Sequence, residues 1–266
     1  MPPESKFADE VRSVPVPAEG NLFAELLASV RFEDVGKGRQ GAVLTRTDEA
    51  GGTPIVRTTT RYRAPSQRFQ PVHERLARQI QTSASLLVGF NNALIECYTN
   101  AYTTMSSHSD QALDLADESF IAVFSCYEHP PLATPPRTLL VETKEVAGES
   151  VAIPMTHQSA VVFSVGTNQR LRHKIVLAVS ARTSENRWLG VTFRTSKTSV
   201  RFRDGGACFP DGVRLTLAGD EQRREFYSLR RRENNETDFT YPRLTYTVSE
   251  SDLVPPAPPA DHAVRR

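Results

Sequence analysis

Seven short apolar runs, each bounded by turn-type residues, follow one another after Gly89 and constrain the fold more than any other feature. Runs of six to eight residues rich in Val, Ile, Leu and Phe are typical of strands and too short for most helices. Because they come after a helical first part, they predict a sandwich or barrel with a helix packed outside it. The runs occupy residues 93–99, 120–127, 137–143, 150–155, 160–165, 173–179 and 187–194.

The segments on either side of these runs predict supporting elements. Residues 22–30 carry apolar side chains at helical spacing, and 71–87 form an amphipathic helix that opens with Pro71. Residues 41–62 predict two strands around an EAGGTP turn. After Phe193 the pattern predicts a strand, a basic helix and a final strand as a C-terminal extension.

Composition narrows the class of protein. A chain of 266 residues has room for one large domain or two small ones, and we predict a single domain over 21–250. Residues 1–20 are expected to be loose, and 251–266 to be a Pro-rich disordered tail. The net charge of +1 indicates no general affinity for nucleic acid or membrane.

The three cysteines form no CxxC pair, which argues against a disulfide framework or a structural zinc site. The N-terminal residues have no apolar segment of the kind found in secretory signals, and no uncharged stretch is long enough to span a bilayer. These observations predict an intracellular protein, cytoplasmic or nuclear.

The stretch SSHSD, residues 106–110, predicts part of a metal site. On a strand, His108 and Asp110 share a face and supply two ligands of a two-histidine-one-carboxylate site, which leaves positions open for a co-substrate and oxygen. A lone HxD is more typical of a solvated strand end than of a metal site. The third ligand has to be a distant histidine, and we expect His173 because it opens an apolar strand; the other candidates are His73, His129 and His157.

Three motifs in order resemble the AlkB-type 2-oxoglutarate/Fe(II) dioxygenases. Residues 71–110 are similar to the family's helix, its FN-x-x-L-I-N-x-Y strand and its H-x-D motif. Residues 159–177 resemble the strand–turn–strand that carries the distal histidine, and 187–194 resemble the closing R-x-x-L-T-F-R strand. The resemblance covers about 70–195 and implies a mainly β double-stranded β-helix, or jelly roll, with N-terminal helices and an appendage at about 196–250.

The resemblance also implies roles for individual residues. His108, Asp110 and His173 would bind Fe(II). Tyr98 and Arg194 would bind 2-oxoglutarate, together with Arg187 or, in its place, Arg182. Arg187 and Arg194 are seven residues apart, so on a regular strand they face opposite sides, and a β-bulge would be needed to bring Arg187 inward.

The activity implied is oxidative demethylation of alkylated DNA or RNA, using O2 and releasing succinate, CO2 and formaldehyde. Arg61, Tyr62, Arg63 and Phe69 lie where the family builds its substrate lid. The arginine-rich helix at 221–236 either follows phosphates or forms a solvated face balanced by glutamates.

Two departures from the family pattern leave other functions open. Glu96 stands where the family has Asn, and Ala112 stands where AlkB itself has an acidic residue near the base. The same chemistry on a protein or small molecule is one alternative, and a non-catalytic binding module on the same fold is another.

Overall fold

The computed structural model describes residues 8–131, 134–145, 148–182 and 185–258. Its α-helices are α1 (Leu22–Ala28), α2 (Pro71–Ser83), α3 (Val165–Arg170) and α4 (Asp220–Asn235). The strands up to the central region are β1 (Arg12–Pro15), β2 (Glu33–Gly36), β3 (Arg39–Thr45), β4 (Thr53–Pro54), β5 (Gln67–Arg68), β6 (Asn92–Tyr98), β7 (Phe120–Tyr127) and β8 (Arg137–Thr143). The remaining strands are β9 (Ser150–Pro154), β10 (Ser159–Ser164), β11 (Leu171–Leu177), β12 (Trp188–Arg194), β13 (Ser199–Arg203), β14 (Gly206–Cys208), β15 (Thr216–Leu217) and β16 (Tyr246–Thr247).

Two antiparallel sheets build the centre of the molecule. The larger has the order β1-β10-β7-β12-β6-β3-β2, with β5 paired to β3, and the smaller has the order β11-β8-β9. An isolated bridge between His108 and His173 adds the segment before Ser109 to the free edge of β11. Along the chain, β6, this segment, β7, the β8–β9 hairpin, β10, β11 and β12 alternate between the two sheets as a double-stranded β-helix. The predicted mainly β jelly-roll fold is therefore confirmed.

Alternation along the strands separates two apolar cores. On β6, Ile95 and Cys97 face outward and pack with α1 and α2, whereas Tyr98 faces the smaller sheet. The inner core contains Leu139 from β8 and Trp188 from β12, together with side chains from β7, β10 and β11. The seven apolar runs thus form β6 to β12. Strands β6, β7, β10 and β12 of the larger sheet have one face against the helices and the other between the sheets, whereas β8, β9 and β11 of the smaller sheet direct one face to the inner core.

The first turn of the α2 helix contains a buried histidine, His73. Gln70 N–H donates to Nδ1 of His73 over 3.0 Å, so the neutral ring carries its proton on Nε2, which donates to the Ser29 hydroxyl over 2.8 Å. His73 is fully buried between α1 and α2. It therefore serves as a structural residue of the outer core.

Acidification is expected to destabilise the protein through His73. Burial lowers the pKa of His73 to about 4, against about 6.5 in the unfolded chain. Between these values the unfolded chain binds more protons, so the free energy of unfolding falls by about 3 kcal/mol as pH drops from 6.5 to 4. Urea unfolding at pH 7 and pH 4.5 measures this loss, and the His73→Gln variant should lack that share of it. An equal pH dependence in both proteins would contradict the assignment.

The two ends of the described chain differ from the predicted loose segments. Strand β1 pairs with the edge of β10, and Val16 packs in the outer core. Near the other end, Asp252 is buried and the Ala257 N–H donates to the Ser66 carbonyl over 2.7 Å. These stretches fold because they bond to sheet edges and loops that are distant in sequence. Residues 1–7 and 259–266 lie outside the described residues.

The C-terminal extension packs as a small layer of its own. Phe226 and Leu229 of α4 contact Phe239 and Tyr246, which form the third apolar cluster. The predicted final strand is limited to the two residues of β16, and β4, the second strand predicted in 41–62, pairs with β13 rather than with β3. Among the described helices, none is long and apolar enough to cross a membrane.

Candidate metal centre and co-substrate cavity

The bridge next to β11 brings two histidines side by side. The His108 N–H donates to the His173 carbonyl over 2.9 Å, and the His173 N–H donates to the His108 carbonyl over 2.7 Å. Residues paired across strands in this way present their side chains on the same face. The ring centroids of His108 and His173 are 4.7 Å apart. Backbone pairing thus joins two imidazoles that are distant in sequence.

The side chain of Asp110 completes this cluster. Its Oδ1 lies 3.8 Å from Nε2 of His108 and 3.5 Å from Nε2 of His173. Asn168 of α3 holds the Asp110 backbone, accepting from its N–H and donating to its carbonyl, both over 2.7 Å. Within residues 106–110, only His108 pairs with a neighbouring strand. Asp110 therefore lies near the histidines because α3 holds its backbone, and not because alternate residues of a strand share a face.

The protonation states within the cluster suit a metal ion. Nδ1 of His108 lies 2.8 Å from the Ser106 carbonyl, so this nitrogen carries the proton and Nε2 keeps a free lone pair. Loss of hydration and then the electrostatic effect of the neighbouring His173 ring lower the pKa of His108 to about 3. Burial opposes ionisation of Asp110, but Arg194 and the two imidazoles outweigh it and hold the pKa of Asp110 well below its usual range. Neutral imidazole and ionised carboxylate are the forms that bind metals.

The donor set fits iron. One nitrogen from each of His108 and His173 and one Asp110 oxygen lie within 4.8 Å of one another, and no other such His, Cys, Asp or Glu group occurs among the described residues. Two imidazoles and one carboxylate with open positions are the ligands of non-haem Fe(II) oxygenases. The other candidate histidines are engaged or remote: His73 is buried beside Ser29, His157 accepts from the Tyr127 N–H, and His129 is exposed.

The two arginines predicted to hold 2-oxoglutarate lie in different places. Arg194 lines the cavity and donates to Oδ2 of Asp110 over 2.6 and 2.9 Å. Arg187 donates to Glu128 over 2.6 and 2.8 Å and does not line the cavity. The register of β12 is regular from Trp188 to Arg194, without the bulge that would turn Arg187 inward. Trp188 takes the inward position instead.

Glu96 lines the cavity and bonds to two tyrosines and an arginine, of which Tyr98 and the arginine also line it. The Tyr98 hydroxyl donates to its Oε2 over 2.5 Å, and the Tyr62 hydroxyl donates to its Oε1 over 3.2 Å. Nη1 of Arg39 lies 3.2 Å from the same Oε1. The Glu96 carboxylate therefore faces the cavity and is stabilised by these three partners. They allow a glutamate at a position where the AlkB-type pattern has asparagine.

A cavity of about 360 Å³ adjoins the histidines and Asp110. Of the residues predicted to bind substrate, Arg61 and Arg63 are exposed and follow Thr58, Thr59 and Thr60, which line the cavity. Tyr62 is buried beside Glu96, and Phe69 packs against His73 and Phe193 on the outer face of the larger sheet. Neither aromatic ring lines the cavity.

The α4 helix and Gln111 form a wall that sequence patterns did not reveal. Asn234 accepts from the Ser109 N–H over 3.0 Å, Glu233 accepts from the Ala112 N–H over 2.8 Å, and Arg230 donates to the Ser109 carbonyl. Gln111 is 5% exposed, lines the cavity and has no hydrogen-bond partner for either amide atom among the described residues. No local signal places α4 against this segment, because the contact joins parts of the chain that are far apart in sequence.

The fold and the site together define a double-stranded β-helix protein with a two-histidine-one-carboxylate cluster. No family model matches the sequence, and neither does any curated protein. Among solved structures, the chain is similar to OsALKBH1, with 15% identity, a TM-score of 0.45 and coverage of 70% of this chain and 96% of that one.

Two prolyl hydroxylases are also similar to the chain. A prolyl-4-hydroxylase from Pseudomonas putida matches with 14% identity, a TM-score of 0.39 and coverage of 70% of this chain and 92% of that one. A Trichoplax adhaerens prolyl hydroxylase, in complex with a hypoxia inducible factor peptide fragment, matches with 12% identity, a TM-score of 0.43 and coverage of 70% and 84%.

Proposed function

We propose that this protein is an Fe(II)- and 2-oxoglutarate-dependent dioxygenase that oxidatively demethylates alkylated nucleic acid. The observation that carries the proposal is the convergence of His108, Asp110 and His173 on one cavity of a jelly roll. With 2-oxoglutarate and O2, such an iron site supplies oxidation of a substrate C–H bond, with release of succinate and CO2. An N-methyl group oxidised in this way is lost as formaldehyde.

The chain's own residues prepare the site for this chemistry. The bond from Nδ1 of His108 to Ser106 fixes the ring with Nε2 directed at the cluster. Arg194 holds Oδ2 of Asp110, which leaves Oδ1 as the metal-binding oxygen. Apolar side chains line part of the same cavity; they include Val123, Leu139, Ile175 and Trp188. A bound substrate that packs against them would displace water from the reacting groups.

The charges around the cavity also suit a dianionic co-substrate. Arg194 neutralises Asp110, and Arg39 neutralises Glu96, so the lining contributes two balanced pairs. A bound divalent ion adds two positive charges, and 2-oxoglutarate carries two negative ones. Charge complementarity of this kind favours the dianion over neutral molecules of the same size.

Two features support a nucleic-acid substrate. The amide of Gln111 offers a donor and an acceptor side by side, the pattern that pairs with the edge of a nucleobase. Exposed arginines flank the cavity-lining segments: Arg61 and Arg63 follow Thr60, and Arg231 follows Arg230. Such arginines suit a phosphate backbone.

One observation favours a second candidate, a non-catalytic binding module. The Tyr98 hydroxyl, predicted to bind 2-oxoglutarate, is taken by Glu96. Incubation with Fe(II), 2-oxoglutarate and an N-methylated single-stranded oligonucleotide, compared with an N-methylated peptide, separates the candidates by formaldehyde release. Release from the oligonucleotide supports the proposal, and release from the peptide alone would assign the same chemistry to a protein substrate. Absence of both release and metal binding would favour the binding module.

Replacing Gln111 with alanine is expected to lower kcat/KM for the methylated oligonucleotide by about 10- to 100-fold, because a paired base edge is worth about 1–3 kcal/mol. The Kd of this variant for 2-oxoglutarate should stay within about twofold of the value for the unsubstituted protein, because the Gln111 amide would contact the nucleic-acid substrate and not 2-oxoglutarate. Gln40→Ala is the matched control, since Gln40 is exposed on β3 and does not line the cavity. Equal kcat/KM values for the two variants would remove Gln111 from the substrate site.

A further inference from the structure

One arginine that lines the cavity, Arg39, has a guanidinium N–H without a hydrogen-bond acceptor among the described residues. Arg39 belongs to β3, outside the segment that resembles the dioxygenase family, and its side chain lines the cavity. Nη1 lies 3.2 Å from Glu96, whereas Nε is buried and has no hydrogen-bond partner among the described residues. A buried N–H without an acceptor is costly, so this edge is suited to a ligand that supplies one.

The strand register places Arg39 level with the far end of the site. Arg39 is opposite Tyr98 on β6, and Tyr98 is opposite Trp188 on β12. Arg194, which holds Asp110, is three inward positions further along β12 than Trp188. Tyr98 and Arg39 thus mark the end of the cavity remote from the metal ligands, where the second carboxylate of a five-carbon dicarboxylate would lie.

Four other arginines lie on or near the cavity. Arg137, over the Tyr98 and Trp188 rings, also has an Nε without a partner among the described residues, but it donates to the Tyr102 and Thr99 carbonyls and does not line the cavity. Arg194 is bonded to Asp110, Arg187 to Glu128 outside the cavity, and Arg230 to Glu233 and the Ser109 carbonyl. Arg39 is also paired, but only through Nη1 in the described part of the chain. The planar guanidinium binds one carboxylate through Nη1 while its Nε edge, with Nη2, takes a second in the bidentate form.

We propose that Arg39 binds the distal carboxylate of 2-oxoglutarate through Nε and Nη2, with Glu96 as the positioning residue that holds Nη1. The inference rests on the proposed function and assigns to β3 the role predicted for Arg187. Tyr102, whose ring centroid lies 5.7 Å from the Arg39 guanidinium carbon, supports its plane from one side. Glu96, which stands where the AlkB-type family has Asn, would then orient the arginine that binds the co-substrate.

Calorimetric titration of the Mn(II)-loaded protein tests this assignment without turnover. The ligands are 2-oxoglutarate and 2-oxopentanoate, which has the same chain length but lacks the distal carboxylate. Arg39→Ala is expected to weaken 2-oxoglutarate binding by about 10- to 100-fold, as for loss of a charge-assisted bidentate pair. Its affinity for 2-oxopentanoate should match that of the unsubstituted protein, because that ligand has no distal carboxylate to accept hydrogen bonds from Arg39.

Two variants serve as controls. Arg187→Ala removes an arginine that the structure places against Glu128, and its Kd for 2-oxoglutarate should be unchanged. Arg39→Lys keeps the charge and loses the fork, and its Kd should lie between those of the unsubstituted protein and Arg39→Ala. Thermal unfolding and Mn(II) titration of each variant confirm folding and metal loading before ligand is added.

The outcomes separate this inference from the proposed function. If the unsubstituted protein binds Mn(II) and 2-oxoglutarate but Arg39→Ala binds 2-oxoglutarate equally well, the inference is overturned and the function stands. Equal losses for both ligands would also overturn it, since the effect would not involve the distal carboxylate. If the unsubstituted protein binds neither Mn(II) nor 2-oxoglutarate, the proposed function fails as well.

Discussion

Replacing Asp110 with asparagine is expected to weaken metal binding by more than about 100-fold and to abolish turnover of 2-oxoglutarate. Loss of an outer-shell partner already costs about 10- to 100-fold in metal affinity, and Asp110 is the carboxylate of the ligand cluster. The amide keeps the shape but removes the charge that Arg194 and a cation share. Titration with Mn(II) measures the affinity, and succinate formation measures turnover.

Asp117→Asn is the matched control for this prediction. Asp117 is an exposed carboxylate paired with Lys197 and lies away from the His108 and His173 cluster. This variant should bind Mn(II) as tightly as the unsubstituted protein. If Asp110→Asn and Asp117→Asn bound the metal equally well, the carboxylate would not be a ligand, and the assignment of the centre would be wrong.

Replacing Arg57 with methionine is expected to lower the free energy of unfolding by about 3–5 kcal/mol. The Arg57 and Asp114 side chains are 4% and 0% exposed, and Nη2 lies 2.7 Å from Oδ1. Nη1 also donates to the carbonyls of Leu244 and Tyr246, which join the C-terminal extension to the jelly roll. Without Arg57, Asp114 is left as a buried charge without its ion-pair partner. Urea unfolding measures the loss.

Two further variants test the cause of this loss. Lys197→Met breaks an exposed pair with Asp117 and should cost at most about 1 kcal/mol. The double variant Arg57→Met/Asp114→Leu should be more stable than Arg57→Met alone, because it removes the unpaired charge as well. A double variant no more stable than the single one would show that Arg57 acts through its carbonyl contacts and not through Asp114.

The pattern of apolar runs predicted most of the fold, because the features that favour a strand lie within the strand and at its two ends. Each of β6 to β12 has an apolar run and turn residues at its ends, and those signals need no knowledge of the neighbours. Strand β1 has no such pattern, and it forms because β10 offers it an open edge. The sequence predicted strands at β4 and β16, but their two-residue length and their partners β13 and β15 depend on distant segments.

The cluster of two histidines and one aspartate was predictable in part from the sequence, whereas the arginines of the cavity were less so. His108 and Asp110 stand in a short motif, and His173 is the third residue of β11, which pairs with the segment of His108. Arg187 fails to reach the cavity because a regular strand turns it outward beside Trp188. Arg39 reaches the cavity because β3 pairs with β6, and that pairing joins segments that are far apart in the chain.

The most direct test of the central claim is succinate formation from 2-oxoglutarate by the purified protein with Fe(II), ascorbate and O2, beside Asp110→Asn. The cluster of His108, Asp110 and His173 predicts succinate in molar excess over protein, dependent on Fe(II) and absent from the variant. Succinate no higher than in Asp110→Asn, from a protein that binds neither Mn(II) nor 2-oxoglutarate, would contradict the account.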